Sequence, residues 1–158
     1  MIAELKKDGS IELQVKRTLA FPRELVFSAW LKAEHLMKWM GPTQDINLGL
    51  IEIDPQPKGK YRFGFDDKNC LDTRSFVHGE FLKITAPSQL VFTWIWEAPL
   101  PEAGVLTLVT VDFHEVEGGT EMVLTHQKFM DKESCERHNA GWTGTLDKLQ
   151  ALLAGQTS

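Results

Sequence analysis

Apolar and polar side chains alternate from Ile11 to Leu19, with Ile11, Leu13 and Val15 set against Glu12, Gln14 and Lys16. This is the period of a strand that buries one face. Pro22 then suits a first helical turn, where its missing N–H would go unpaired anyway. Leu25, Val26, Ala29 and Trp30 recur behind it at helical spacing, and Leu31 to Met40 continues as a second short helix or turn ending at Gly41-Pro42. The pattern places a helix pair directly after the first strand.

From Ile46 to Thr125 the period returns to two. Strands are expected over Ile46 to Ile53, Lys60 to Phe65, Thr73 to Ile84, Leu90 to Trp96, Val105 to Val116 and Thr120 to Gln127. Turn residues separate them at Asp54-Pro55-Gln56-Pro57-Lys58-Gly59, Ala86-Pro87-Ser88 and Glu117-Gly118-Gly119. No stretch between them has the length and period of a crossover helix, so the strands form an antiparallel meander. Leu90, Phe92, Trp94 and Trp96, and again Val109, Val111 and Phe113, make one face apolar. That face has to be covered.

The cover follows Asp131, a residue suited to an N-cap. Cys135, His138, Trp142, Leu146, Leu149 and Leu153 repeat every three or four residues toward the chain end, which predicts one long amphipathic helix. Gly141 and Gly144 fall inside it, each costing about 1 kcal/mol relative to alanine. Close approach to a bulky neighbour such as a tryptophan is the expected reason. The predicted fold is α+β and of the helix-grip kind: a curved seven-stranded antiparallel sheet wrapped around a long C-terminal helix, two short helices after the first strand, and an internal cavity. It spans residues 1–158 as one domain, with a core over about 11–153.

Composition narrows the function classes. With 158 residues, 42% hydrophobic and 25% charged, the chain has the make-up of a soluble globular domain. No apolar run approaches the roughly 20 residues of a membrane span. The start, Met1-Ile2-Ala3-Glu4-Leu5-Lys6-Lys7-Asp8, lacks the basic and apolar regions of a secretory signal, so the cytoplasm is expected. A net charge of −5 opposes binding to a phosphate backbone, and Lys6-Lys7 reads as solvated surface. Cys70, read as lying on a loop, and Cys135, at the start of a helix, lack CxxC spacing and are expected to be two reduced thiols.

Five tryptophans supply large apolar area with one polar handle each. Trp30, Trp39, Trp94, Trp96 and Trp142 are candidates for a ligand-lining set. Trp94 and Trp96 share a direction on their strand with Phe92, and Phe63, Phe65, Phe76, Phe113 and Phe129 are further candidates. Each has core packing as its alternative. Among His35, His78, His114, His126 and His138 no HxxxH or HExxH pair occurs, so no metal is expected. His126 shares a strand face with Met122 and Leu124 and is expected to point inward, as a hydrogen-bonded core residue or as a ligand anchor. His78 with Glu80, or His126 with a carboxylate across the sheet, is the available acid–base pair. No GxSxG elbow, Walker loop or dinucleotide fingerprint is present, so no cofactor is expected and nothing supports an enzyme.

Taken together, Arg17, Phe21-Pro22-Arg23-Glu24-Leu25-Val26-Phe27, Ala29-Trp30, Trp39, Gly41-Pro42, Gly59-Lys60-Tyr61-Arg62, Gly79-Glu80-Phe81, Pro87 to Trp94, Gly118-Gly119-Thr120, His126 and Gly141-Trp142 resemble the START-like (Bet v 1-like) superfamily. The closest resemblance is to the branch named after the C-terminal domain of the activator of Hsp90 ATPase, over about Ile11 to Leu153. The chain departs from it in carrying Lys58 before Gly59 where members often have paired glycines, and Met40 where they have a second tryptophan. A differently shaped cavity mouth is expected from these departures.

The resemblance implies a small apolar or amphipathic ligand held among Trp30, Trp39, Phe63, Phe65, Phe76, His78, Phe92, Trp94, Trp96, Phe113, His126, Phe129 and Trp142. It also leaves open an interaction with an Hsp90-type chaperone, and a cavity enzyme of the cyclase or hydrolase kind using His126 or His78. A homodimer is the commonest oligomer to expect. A binding module predicts a mostly apolar cavity, an interaction protein an exposed apolar patch, and an enzyme two converging titratable groups.

Overall fold

The structure, a computed structural model, describes residues 4–5 and 11–157. The Lys6-Lys7 pair and most of the N-terminal stretch read above lie outside the described residues. A two-residue strand β1 (Glu4–Leu5) precedes β2 (Ile11–Leu19), and the short helices α1 (Arg23–Ala29) and α2 (Ala33–Trp39) follow. The meander is β3 (Ile46–Ile53), β4 (Lys60–Asp67), β5 (Cys70–Thr85), β6 (Gln89–Trp96), β7 (Thr107–Val116) and β8 (Gly119–Gln127), and α3 (Lys132–Thr157) closes the chain. The strand order is β1-β2-β8-β7-β6-β5-β4-β3, with every neighbouring pair antiparallel. The seven expected strands are thus joined by an eighth at the edge beside β2. Cys70 opens β5 instead of lying on a loop.

The helix pair stands where the sheet needs it. β2 and β3 are adjacent in sequence but lie near opposite ends of the sheet, so the chain must cross between them. Pro22 sits one position before the first turn of α1, extended at φ −66° and ψ 151°. Its carbonyl accepts from the Leu25 and Val26 amides at 3.1 and 3.2 Å.

Period two governs which side chains enter the core. In β7, Thr107, Val109, Val111 and Phe113 are buried, and in β8 Met122, Leu124 and His126 face the same way. Leu146, Leu149 and Leu153 of α3 are buried, each contributing on the order of 2 kcal/mol. No helix among the described residues is long and apolar enough to cross a membrane.

Two contacts position α3. Asp131 caps it, its carboxylate accepting from the Ser134 amide at 2.7 Å, and Asp131→Ala is expected to lower stability by about 1 kcal/mol in urea titrations. An unchanged midpoint would mean that water replaces the cap without loss. Lys148 in the body of the helix donates from Nζ to the Thr43 carbonyl at 2.9 Å and to Asn47 Oδ1 at 2.8 Å, which ties α3 to the segment after α2.

Gly141 and Gly144 differ in their surroundings, and neither is set against a tryptophan. A Cβ on Gly144 would stand 2.0 Å from the Pro42 carbonyl oxygen, so backbone meets backbone there. On Gly141 the nearest neighbour would be Pro42 Cβ at 3.9 Å, an ordinary contact. The expectation of a bulky side-chain neighbour therefore fails at both positions.

Candidate functional site

All five tryptophans belong to one aromatic column. Ring centroids run from Trp39 to Trp30 (4.8 Å), Trp30 to Trp142 (6.0 Å), Trp142 to Trp94 (5.1 Å) and Trp94 to Trp96 (5.6 Å). Strand parity and helix period converge to build it, since Trp94 and Trp96 share a face of β6 while Trp142 leans in from α3. The Trp39 and Trp30 end is core, and the Trp39 indole donates to the Ala29 carbonyl at 3.1 Å.

The other end opens into a cavity of about 320 Å³ between α3, the sheet and the segment that joins β6 to β7. Trp94, Trp96, Trp142 and Phe65 form its aromatic wall, and Met40, Pro42, Ile46 and Leu100 add aliphatic surface. Ser75, Thr145, Asp67, Glu102, Arg137 and His138 supply the polar groups. Arg137 donates to Glu102 Oε2 at 2.6 Å, joining α3 to the β6–β7 segment. The Thr145 hydroxyl turns back onto the Gly141 carbonyl at 2.8 Å.

Beneath the wall lie two tryptophan–histidine pairs. Trp142 Nε1 donates to His126 Nδ1 at 3.0 Å. The His126 proton must therefore sit on Nε2, which donates to Thr107 Oγ1 at 2.7 Å, and that hydroxyl donates to the Trp94 carbonyl at 2.6 Å. Trp96 Nε1 likewise donates to His138 Nε2 at 2.8 Å, leaving Nδ1–H for the Ser134 carbonyl at 2.8 Å. Burial drives His126 well below the ordinary histidine range, and the neighbouring His138, 5.0 Å away between ring centroids, pushes the same way. Burial also lowers His138. Both imidazoles are neutral at pH 7, with every ring nitrogen occupied.

The sequence-derived candidates divide accordingly. Phe65, Trp94, Trp96 and Trp142 line the cavity. Trp30, Trp39 and Phe92 lie behind it in the core, Phe63 packs on Tyr61, Phe113 meets Phe27 of α1, and Phe129 stacks on His126. His126 points inward as expected but is held by Thr107 and Trp142, so the structure places it as a core residue without a free anchoring nitrogen. Phe76 and His78 are corrected by strand parity: Ser75 and Val77 take the inward positions of β5, which turns Phe76 and His78 to the outer face. There Arg62 lies 3.9 Å over the Phe76 ring and pairs with Glu97, which also meets His78 Nδ1 at 3.1 Å. The proposed pairing of His78 with Glu80 does not face the cavity.

Several lining residues went unread, although some carried a signal. His138 and Thr145 lie one turn from Trp142 on the same helix face, and Gly141 lies one turn from both of them. Asp67 is two residues from Phe65, and Ser75 is the cross-strand partner of Phe65. Met40 stands on the wall. Lys58 instead lies in the β3–β4 turn at φ 69°, in the left-handed region that glycine favours. Among the described residues no group of three or more His, Cys, Asp or Glu side chains is arranged to hold a metal ion. Cys70 is exposed and Cys135 is a buried free thiol, which burial pushes up to about 11.

Residues 20–154 match the family model described as activator of Hsp90 ATPase homolog 1-like protein. Among solved structures, a protein of Chromobacterium violaceum superposes with a TM-score of 0.80 at 22% identity, over 89% of this chain and 95% of that one. The AHSA1 protein of Silicibacter pomeroyi superposes at 0.79 with 26% identity, over 92% and 99%. A protein of Nitrosomonas europaea gives 0.78 at 23% identity, over 92% and 95%. No curated protein matches the chain at a significant level.

Proposed function

The chain belongs to the activator of Hsp90 ATPase homolog 1-like family, and within that family we propose that it is a small-molecule binding module. It holds an apolar or amphipathic ligand in the cavity under α3. The observation that carries this reading is the convergence of three indoles and Phe65 on one space of about 320 Å³. That volume is at the lower end of the roughly 300–1,000 Å³ of small-molecule sites, and a mostly apolar wall with few polar groups is their usual chemistry. In this reading the protein acts in the cytoplasm, takes a diffusible molecule rather than nucleic acid, and needs no metal or cofactor.

The arrangement supports binding more than catalysis. An acid–base mechanism wants two titratable groups free to exchange protons with a substrate. In the cavity His138 has both nitrogens committed, and Glu102 is paired with Arg137.

Gly141 provides the test. Its Cβ position has room and lies on the cavity wall, so Gly141→Leu fills the space without a clash at its root. Tryptophan fluorescence of the wild type, titrated with small aromatic and aliphatic molecules, is expected to show saturable quenching. In Gly141→Leu the quenching is expected to weaken by about tenfold or more, the scale of displacing one well-packed apolar group. Equal binding by the filled variant would remove the cavity from consideration. A silent panel beside capture of an Hsp90-type chaperone would favour the interaction role instead.

A further inference from the structure

The cavity wall is poor in hydrogen-bond donors and keeps a charged acceptor. Trp96 and Trp142 spend their indole N–H groups on His138 and His126, while Trp94 Nε1 is buried without a partner and closed off from the space. The three indoles therefore offer a ligand ring surface and no donor. His138 has both ring nitrogens occupied, and the Thr145 hydroxyl donates to the Gly141 carbonyl. Of the lining hydroxyls that leaves Ser75, which can accept as readily as donate.

Asp67 is the charged acceptor. Strand parity in β4 turns its side chain to the face that carries Tyr61, Phe63 and Phe65, whereas Asp66 points outward and pairs with Arg74. Pairing with β3 runs unbroken from Phe65 to Asp67, so the parity holds to the end of the strand, where Asp67 joins the cavity wall. The Asn69 amide donates to its Oδ1 at 2.8 Å and helps to fix the carboxylate, and no ion pair engages it among the described residues. The cations nearby are spent elsewhere. Glu102 holds Arg137 at 2.6 Å, Lys148 donates to the Thr43 carbonyl and to Asn47, and Lys68 is exposed in the turn after β4. The wall therefore carries net negative charge beside aromatic rings, whose faces also attract cations. A bound carboxylate would have to take Arg137 from Glu102.

Resting on the binding reading above, we infer that the cavity takes an amphipathic organic cation, its apolar body against the indoles and Phe65 and its ammonium group at the Asp67 carboxylate. Neutral molecules of the same shape bind less tightly, and carboxylates least.

Three probes of matched shape test this by calorimetric titration at pH 7: naphthylmethylamine, which is protonated there, naphthylmethanol and naphthoate. The amine is expected to bind about five- to thirtyfold more tightly than the alcohol, the combined scale of one part-exposed ion pair and one cation–π contact. Naphthoate is expected to be the weakest of the three. In Asp67→Asn the amine-to-alcohol ratio should fall by about threefold or more, whatever happens to the two affinities separately. Asp66→Asn removes the same charge from the outer face and should leave the ratio as it is. The wild-type ratio stands as a test even if Asp67→Asn folds poorly. An alcohol as tight as the amine, naphthoate as the tightest probe, or a ratio that survives Asp67→Asn would overturn the inference and leave the binding cavity standing. Failure of all three probes to bind would overturn both.

Discussion

Acidification below pH 6.5 will destabilise this protein well before its carboxylates protonate. His126 and His138 are buried as neutral rings, both held below the ordinary value of 6.5. In the unfolded chain they return to that value and bind protons as the pH falls through it, while the folded protein does not. The unfolded state then carries more protons, so stability is fully present above about 6.5 and is lost as the pH drops toward the folded-state values. Each such histidine contributes a slope of up to about 1.4 kcal/mol per pH unit within its window. His126, the more strongly lowered, sustains its slope over the wider range.

Asp66 and Glu97 are also lowered, chiefly by hydrogen bonds from Arg74 and Arg62. Their stabilisation is lost only at lower pH, beginning as their unfolded forms protonate near 3.8 and 4.5. Urea midpoints should therefore stay level from about pH 8 to 6.5 and fall steeply between about 6.5 and 5. In His126→Gln the upper step should shrink, with lower stability at neutral pH because the Trp142 and Thr107 partners are disturbed. A wild-type profile that stays level to about pH 5 would show that the imidazoles take up protons without unfolding.

Alanine at Gly144 will destabilise the protein by about 2–3 kcal/mol, although alanine is the better helix former by about 1 kcal/mol. The new Cβ would lie 2.0 Å from the Pro42 carbonyl oxygen, and neither partner is a side chain that can rotate away. Relief requires α3 to move off the Gly41-Pro42 turn, which disturbs the Lys148 ties to Thr43 and Asn47 and the seat of Trp142. For a domain of this length the loss corresponds to a fall in Tm of about 4–12 °C. Gly141→Ala, three residues earlier on the same helix, meets only Pro42 Cβ at 3.9 Å. There the propensity gain should prevail, for a neutral to slightly raised Tm. Equal effects at the two glycines would mean that helix propensity alone governs both positions.

The fold was largely legible because its elements are encoded locally. Alternation in β2, β7 and β8 declared each strand together with its buried face, and the heptad-like return of Trp142, Leu146, Leu149 and Leu153 declared α3. The edge strand β1 has only two residues, too few to show a period. Asp131 was readable as a cap because a cap needs only its own first turn.

The site was legible only where its residues shared an element with a readable face. Trp94 and Trp96 were placed by parity on β6, but the same rule fails for Phe76 and His78 unless the inward register of β5 is known. One residue of slip reverses every side chain of a strand. Cross-strand pairing of Ser75 with Phe65 and the packing of neighbouring strands decide that register, and no single segment carries it. Glu102 and Leu100 arrive from an aperiodic connection, and Arg137 joins them only because α3 lies beside it.

The sequence by itself determined the order of elements, the apolar face of the sheet and the amphipathic cover, since these depend on periodicities within a few turns of chain. Tertiary structure alone decided which tryptophans form the cavity wall and which the core, that both inward histidines are consumed by indole donors, and that Trp94 keeps an unpaired N–H. Those outcomes depend on distances between residues far apart in the chain, such as Trp30 and Trp142 or Trp96 and His138. Burial and hydrogen bonding are properties of that assembled neighbourhood, and no local pattern specifies them.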